Sequence, residues 1–309
     1  MIENKPVPKS FIEPKIDDTH YVFGLGQVDL TQPLEPEGNW VKHIPPGEPQ
    51  RINFETSNCT AFGTSNTVEI LLNRLFNITP NYSDRALGIE AGTDPEGADP
   101  QNVYEAVRKK GLEPESMLPY DPSLKTAEDY YQPNPLPTNI VLAGIEWLKE
   151  YLFKHDWVGV GKETPPDQIK TALQYSPLGI SVYAWAFDPV KQRYMRIGGD
   201  IHWTAMVYYK ENDYWLIYDS YAEERPEITQ QIMQEFGIPI EVAAYLKKLD
   251  WNFKFYYIKR INITKNNGTL NNDQKSAILT VILSLLTKVL QILQKAYASI
   301  TGKSQGTSH

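Results

Sequence analysis

The chain has 309 residues, 22% of them charged and 41% hydrophobic, which excludes a disordered or fibrous protein. Its net charge of −8 argues against nucleic acid or an anionic membrane surface as the main partner. The single cysteine, Cys59, excludes an internal disulfide. With no secretory signal pattern in the first thirty residues, the expectation is a cytoplasmic protein whose Asn-x-Ser/Thr triplets are chance matches.

In chain order, residues 1–52 are rich in proline and glycine without sustained periodicity, and 1–44 are expected to form an extended arm over a domain at 45–265. Ser57 and Asn58 are good helix caps. The apolar positions Val68, Leu71, Leu72, Leu75 and Phe76 then predict a helix ending near Asn77. Asp99-Pro100 opens a second helix that Gly111 ends, and Thr164-Pro165 opens a third that Pro177 stops. From residue 178 the period changes to two, predicting strands at 178–185, 201–209, 214–221 and 251–263. The KEND turn at 210–213 makes the middle pair a hairpin. Helices first and an antiparallel sheet after is an α+β organisation.

Cys59 stands at the predicted start of the first helix, where unpaired backbone N–H groups and the helix dipole stabilise a thiolate. A thiolate needs a proton acceptor held in the correct tautomer. Four of the five histidines (His20, His43, His155, His309) lie in segments that read as arm, linker or tail. His202 instead opens a strand, and the KEND hairpin brings Asp219 to the same end of its partner, where a carboxylate can orient an imidazole. The Cys59-to-His202 interval falls within the roughly 130–150 residues typical of one class of thiol enzymes.

Three blocks carry a resemblance. NCTAFGTSNTVE places Cys59, Ala61, Phe62 and Glu69 in a nucleophile helix. EGADPQNVYEAVRKKGLEPESMLPY places Gly97-Ala98 and Leu118-Pro119-Tyr120 around a second helix. HWTAMVYYKENDYWLIYDSY carries His202 and Asp219-Ser220-Tyr221. Together, over residues 45–263, they resemble the papain-like cysteine peptidases. The resemblance implies a two-lobed fold, one lobe helical and one a twisted antiparallel sheet, with the site in the cleft between. It implies a peptide or protein substrate, and acyl transfer through Cys59, His202 and Asp219. Gly97 and Ala98 would pair with the substrate backbone, and no cofactor or metal is called for. Where relatives place an oxyanion-binding glutamine this chain has Asn53, one methylene shorter. Thr60 and Tyr221 stand where relatives have tryptophan, and Asp219 where they have asparagine. Inhibition by a folded pro-domain is not expected. These substitutions leave a second reading open: a papain-fold binding or structural module of a larger assembly, with impaired catalysis.

After a polar linker at 266–274, residues 275–301 predict an amphipathic helix. Leu279, Ile282, Leu286, Val289, Leu293, Ala296 and Ile300 alternate by three and four, a heptad seam with apolar rows on both flanks. The expectation is a homo-oligomer formed through this helix. Docking on the catalytic domain and membrane association rank below it, and spanning is disfavoured since Lys288 and Gln291 interrupt the apolar window. Residues 302–309 read as a disordered tail. Such a chain would suit a bacterial or viral product.

Overall fold

Cys59 opens α1 (Cys59–Phe76) in a computed structural model that describes residues 10–17, 20, 32–266 and 272–302. Asn77 ends the helix in the left-handed conformation (φ 53°, ψ 43°), which asparagine tolerates. Burial on α1 is wider than the predicted stripe: Thr60, Phe62, Thr64 and Ser65 are covered along with Val68, Leu71 and Leu72. The helix runs through the middle of the molecule, so it has no solvated face over its first turns.

Helix α2 (Asp84–Ala91) follows, capped by the Ser83 hydroxyl, which accepts from the Ala86 N–H at 3.0 Å. In α3 (Pro100–Lys110) the Asp99 carboxylate accepts from the Gln101 N–H at 2.8 Å, and Gly111 ends the helix. The short α4 (Ala127–Tyr130) and α5 (Thr138–Glu150) complete the helical part around a small core of Ala86, Ile89, Leu118, Tyr130 and Ile140.

The remaining elements are β1 (Tyr151–Val160), α6 (Pro166–Leu173), β2 (Leu178–Asp188), β3 (Arg193–Lys210), β4 (Tyr214–Tyr218), α7 (Pro226–Phe236), α8 (Ile240–Ala243), β5 (Leu246–Asp250) and β6 (Tyr257–Lys265). The strands form one sheet in the order β1-β6-β2-β3-β4-β5, antiparallel apart from a single parallel bridge between β3 and β5. The main core lies between this sheet and α1 and α3.

Two strand expectations change. The run at 251–263 becomes a turn followed by β6, and the run at 214–221 leaves the β3 ladder after Tyr218, where the Asp219 N–H turns to the Tyr245 carbonyl at 2.8 Å. His155, expected in a linker, is buried in β1. The charges that hid this strand are paired inside: Arg260 Nη2 lies 2.6 Å from Asp156 Oδ2, and His155 Nε2 lies 2.9 Å from Glu105 Oε1.

The predicted amphipathic helix is α9 (Asn272–Gly302), so the expected linker is helical from residue 272. It touches α3 and α5 and leaves Leu279, Leu283, Leu286, Leu290 and Leu293 exposed. Residues 1–9, 18–19, 21–31, 267–271 and 303–309, which hold parts of the expected arm, linker and tail, lie outside the described residues. So does the side chain of Ile300 in the expected seam.

Candidate active site

The β3–β4 hairpin pairs Ala205 with Tyr218, which leaves His202 and Asp219 at the same end of two neighbouring strands. The imidazole Nε2 of His202 lies 2.6 Å from Asp219 Oδ1, and both side chains are fully buried. The Ser220 N–H also donates to Oδ1, at 2.9 Å. The other oxygen, Oδ2, accepts from Lys247 Nζ on β5 at 2.9 Å. Lys247 also donates to the Tyr221 carbonyl.

Cys59 reaches this group from α1. The Trp203 N–H donates to its Sγ at 3.4 Å, and the sulfur lies near enough to the His202 ring to favour its charged form. The approach depends on Gly63. A Cβ there would lie 2.8 Å from Trp203 Cδ1 and 3.0 Å from Thr204 Cα, so any side chain would push α1 off β3.

Burial opposes a charged His202 ring, but Asp219 and then Cys59 outweigh it and raise the ring to about 10. Burial likewise disfavours ionised Asp219, yet Lys247 and His202 hold it at about 2. The arrangement can therefore keep an imidazolium beside a sulfur atom across the neutral range.

Asn53 lies apart from the thiol: it is exposed, and its amide donates to the Pro122 carbonyl. Gln50 is the amide bonded to the groups around His202. It is fully buried, and its Oε1 accepts from the Ser220 hydroxyl at 2.8 Å. Its Nε2 donates to Glu55 Oε1 at 2.8 Å and to the Tyr221 hydroxyl at 3.0 Å, and the Tyr221 ring stands 5.4 Å from that of His202. Gln50 stands farther before Cys59 than the interval the resemblance implied, so counting back from the nucleophile does not reach it. No sequence signal marked Lys247 either, because a lysine in a strand reads as solvent-facing.

The site is covered. Segment 10–12 lies over Cys59 as extended chain: Ser10 Oγ donates to Cys59 Sγ at 3.0 Å, and the thiol has no exposed surface. The Ser10 and Phe11 N–H groups both donate to the Ile201 carbonyl at 3.1 Å. The Ala98 N–H donates to the Ser10 carbonyl and the Ile12 N–H to the Ala98 carbonyl, each at 3.1 Å, a parallel bridge centred on Phe11. Gly97 (φ +113°) permits this contact, since a Cβ there would come 2.1 Å from the Ser10 carbonyl oxygen. The Phe11 ring lies parallel to Trp203 at 6.0 Å and tilted toward Tyr257 at 5.7 Å. Gly97 and Ala98 thus meet an extended backbone, and here it is the chain's own arm.

No family model and no curated protein matches the sequence. Solved structures do. A clostridial cysteine protease after propeptide cleavage is 14% identical with a TM-score of 0.50, over 73% of this chain and 56% of that one. Xylellain, a cysteine protease from Xylella fastidiosa, is 13% identical with a TM-score of 0.49, over 84% and 98%. The proform of the ragweed pollen cysteine protease Amb a 11 is 13% identical with a TM-score of 0.46, and the match spans 72% of this chain and 65% of that one. At such identities the likeness is one of fold alone: the chain has an α+β fold of the papain-like cysteine protease type.

Proposed function

We propose that the chain is a cysteine-type peptidase that hydrolyses peptide or amide bonds through an acyl-enzyme thioester. One observation carries this reading. An extended backbone lies across a buried Cys59–His202–Asp219 chain, bonded on one side to Ala98 and on the other to Ile201, where a peptide substrate would lie in this reading. In this reading the Cys59 thiolate attacks the substrate carbonyl, and the Gln50 amide and the Cys59 N–H face the developing oxyanion. The His202 imidazolium then protonates the leaving amine. Water, deprotonated by the same ring, cleaves the thioester and restores the thiolate. Asp219 holds the ring in place through Nε2, which leaves Nδ1 for the sulfur.

Segment 10–12 occupies the place of substrate and blocks the thiol in the intact chain. The alternative, a papain-fold module without turnover, draws on that same covering. The experiment that separates them loosens the arm. Phe11→Ala should raise both the rate of iodoacetamide labelling of Cys59 and the cleavage of fluorogenic peptides, while Phe11→Ala with Cys59→Ala should cleave nothing and stay folded by circular dichroism. Faster labelling without any cleavage would leave the module reading standing and end the peptidase one.

For α9 we propose a second copy of the chain as the partner. Its apolar residues recur by threes and fours along the described helix and are largely exposed, and no helix among the described residues is long and apolar enough to cross a membrane.

A further inference from the structure

Lys247 lies on β5, a strand that contributes no other group to the site, and only 4% of its side chain is exposed. A lysine ammonium is rarely buried unless it is paired. Here the pairing is specific: Nζ is 2.9 Å from Asp219 Oδ2, while Oδ1 of the same carboxylate is 2.6 Å from His202 Nε2. The Cys59 sulfur in turn favours the charged form of the imidazole. The four groups therefore alternate in sign along one buried line: sulfur, imidazolium, carboxylate, ammonium. With the thiolate formed the line is neutral. Without the ammonium it would carry one net negative charge in a place water does not reach.

Resting on the peptidase reading above, we propose that Lys247 is a positioning residue that balances the Asp219 charge, so that the Cys59–His202 ion pair forms at and below neutral pH. The sign follows from electrostatics. A buried positive charge favours every deprotonation near it, so it brings the thiolate on at lower pH and also releases the imidazolium proton at lower pH. Removing Lys247 must move both limbs of the ion-pair window upward. Replacing Asp219 by asparagine while keeping Lys247 must move both downward. Removing both charges together must leave the window between those of the two single variants.

The test reads protonation directly in the full chain and does not need the arm to leave. The ultraviolet thiolate band, taken as the difference from a Cys59→Ser chain, gives the acid limb, and the His202 ring nitrogen shifts give the alkaline limb. Lys247→Met should raise the thiolate midpoint by about one pH unit. Asp219→Asn should lower it, and the double variant should fall between the two single variants. A Lys247→Met chain with an unmoved midpoint, or a double variant displaced as far as Lys247→Met alone, overturns the proposal, since a lysine acting only through packing predicts no mutual cancellation. If Lys247→Met does not fold, the comparison of Asp219→Asn with the double variant decides in the same way. A wild-type chain with no thiolate below pH 8 would instead overturn the peptidase reading, whatever Lys247 does.

Discussion

At the scale of single residues, two amides near the nucleophile compete for one role. Gln50 is buried among Ser220, Tyr221 and Glu55, one bond away from the groups that hold His202, whereas Asn53 faces solvent. If Gln50 supplies the oxyanion donor, Gln50→Ala should lower kcat of the arm-released chain by about 10²–10³, the usual effect of losing one such donor. Asn53→Ala should leave kcat unchanged. An Asn53 effect of the larger size would return the role to that residue. Ser57 shows another local constraint beside the thiol. It holds φ +56°, a left-handed conformation that costs a residue with a Cβ about 1 kcal/mol, and its N–H donates to Glu55 Oε1 at 3.0 Å.

At the scale of elements, α1 and β3 create the site by touching, and Gly63 sets how closely they do so. The arm and α9 raise a different question, because each presents apolar side chains whose cover decides their role. The arm finds its cover within the chain: Phe11 is seated against Trp203 and Tyr257. Among the described side chains of α9, Leu286 and Leu293 remain 59% and 60% exposed. A row of leucines left in water is costly at about 25 cal/mol per Å² of apolar surface. The full chain should therefore sediment as an oligomer, and a chain ending at residue 266 as a monomer. Identical sedimentation as monomers would remove the case for self-association.

At the scale of the whole molecule, two buried cations set opposite pH dependences. His202, raised to about 10 through its carboxylate and thiol neighbours against the cost of burial, keeps in the folded state a proton that the unfolded chain releases near 6.5. Its stabilising contribution is full below 6.5 and is lost as pH rises toward 10. Lys259 does the reverse. Burial beneath Trp157, where Nζ donates to Gln101 Oε1 at 2.7 Å, lowers it to about 7 from 10.5. The unfolded chain then binds the extra proton, and stability rises with pH across that interval. From pH 7 to 10 the two slopes oppose each other. Lys259→Met should expose the His202 slope, with unfolding free energy falling by up to about 1.4 kcal/mol per pH unit in denaturant titrations. A variant no more pH-sensitive than wild type would show that His202 does not titrate in this way.

What the sequence determined by itself is what short-range physics controls. The apolar run after Asn58 places α1, although the Asn58 amide makes no cap bond and donates to the Asp84 carbonyl; Asp99-Pro100 places α3, and the KEND turn between alternating strands brings His202 and Asp219 together. Those signals are local, since a helix start or a hairpin register depends on neighbours in the chain. Only the tertiary structure decided the rest. β1 was hidden because its Lys154-His155-Asp156 stretch reads as solvated, until β6 and α3 supply partners for His155 and Asp156. Gln50 and Lys247 were hidden because each acts through a contact whose partner lies far along the chain, Ser220 for one and Asp219 for the other. The arm's place over Cys59 is of the same kind. Ser10 and Ala98 meet because Gly97 has no Cβ to keep them apart, a condition set by packing and absent from any local pattern.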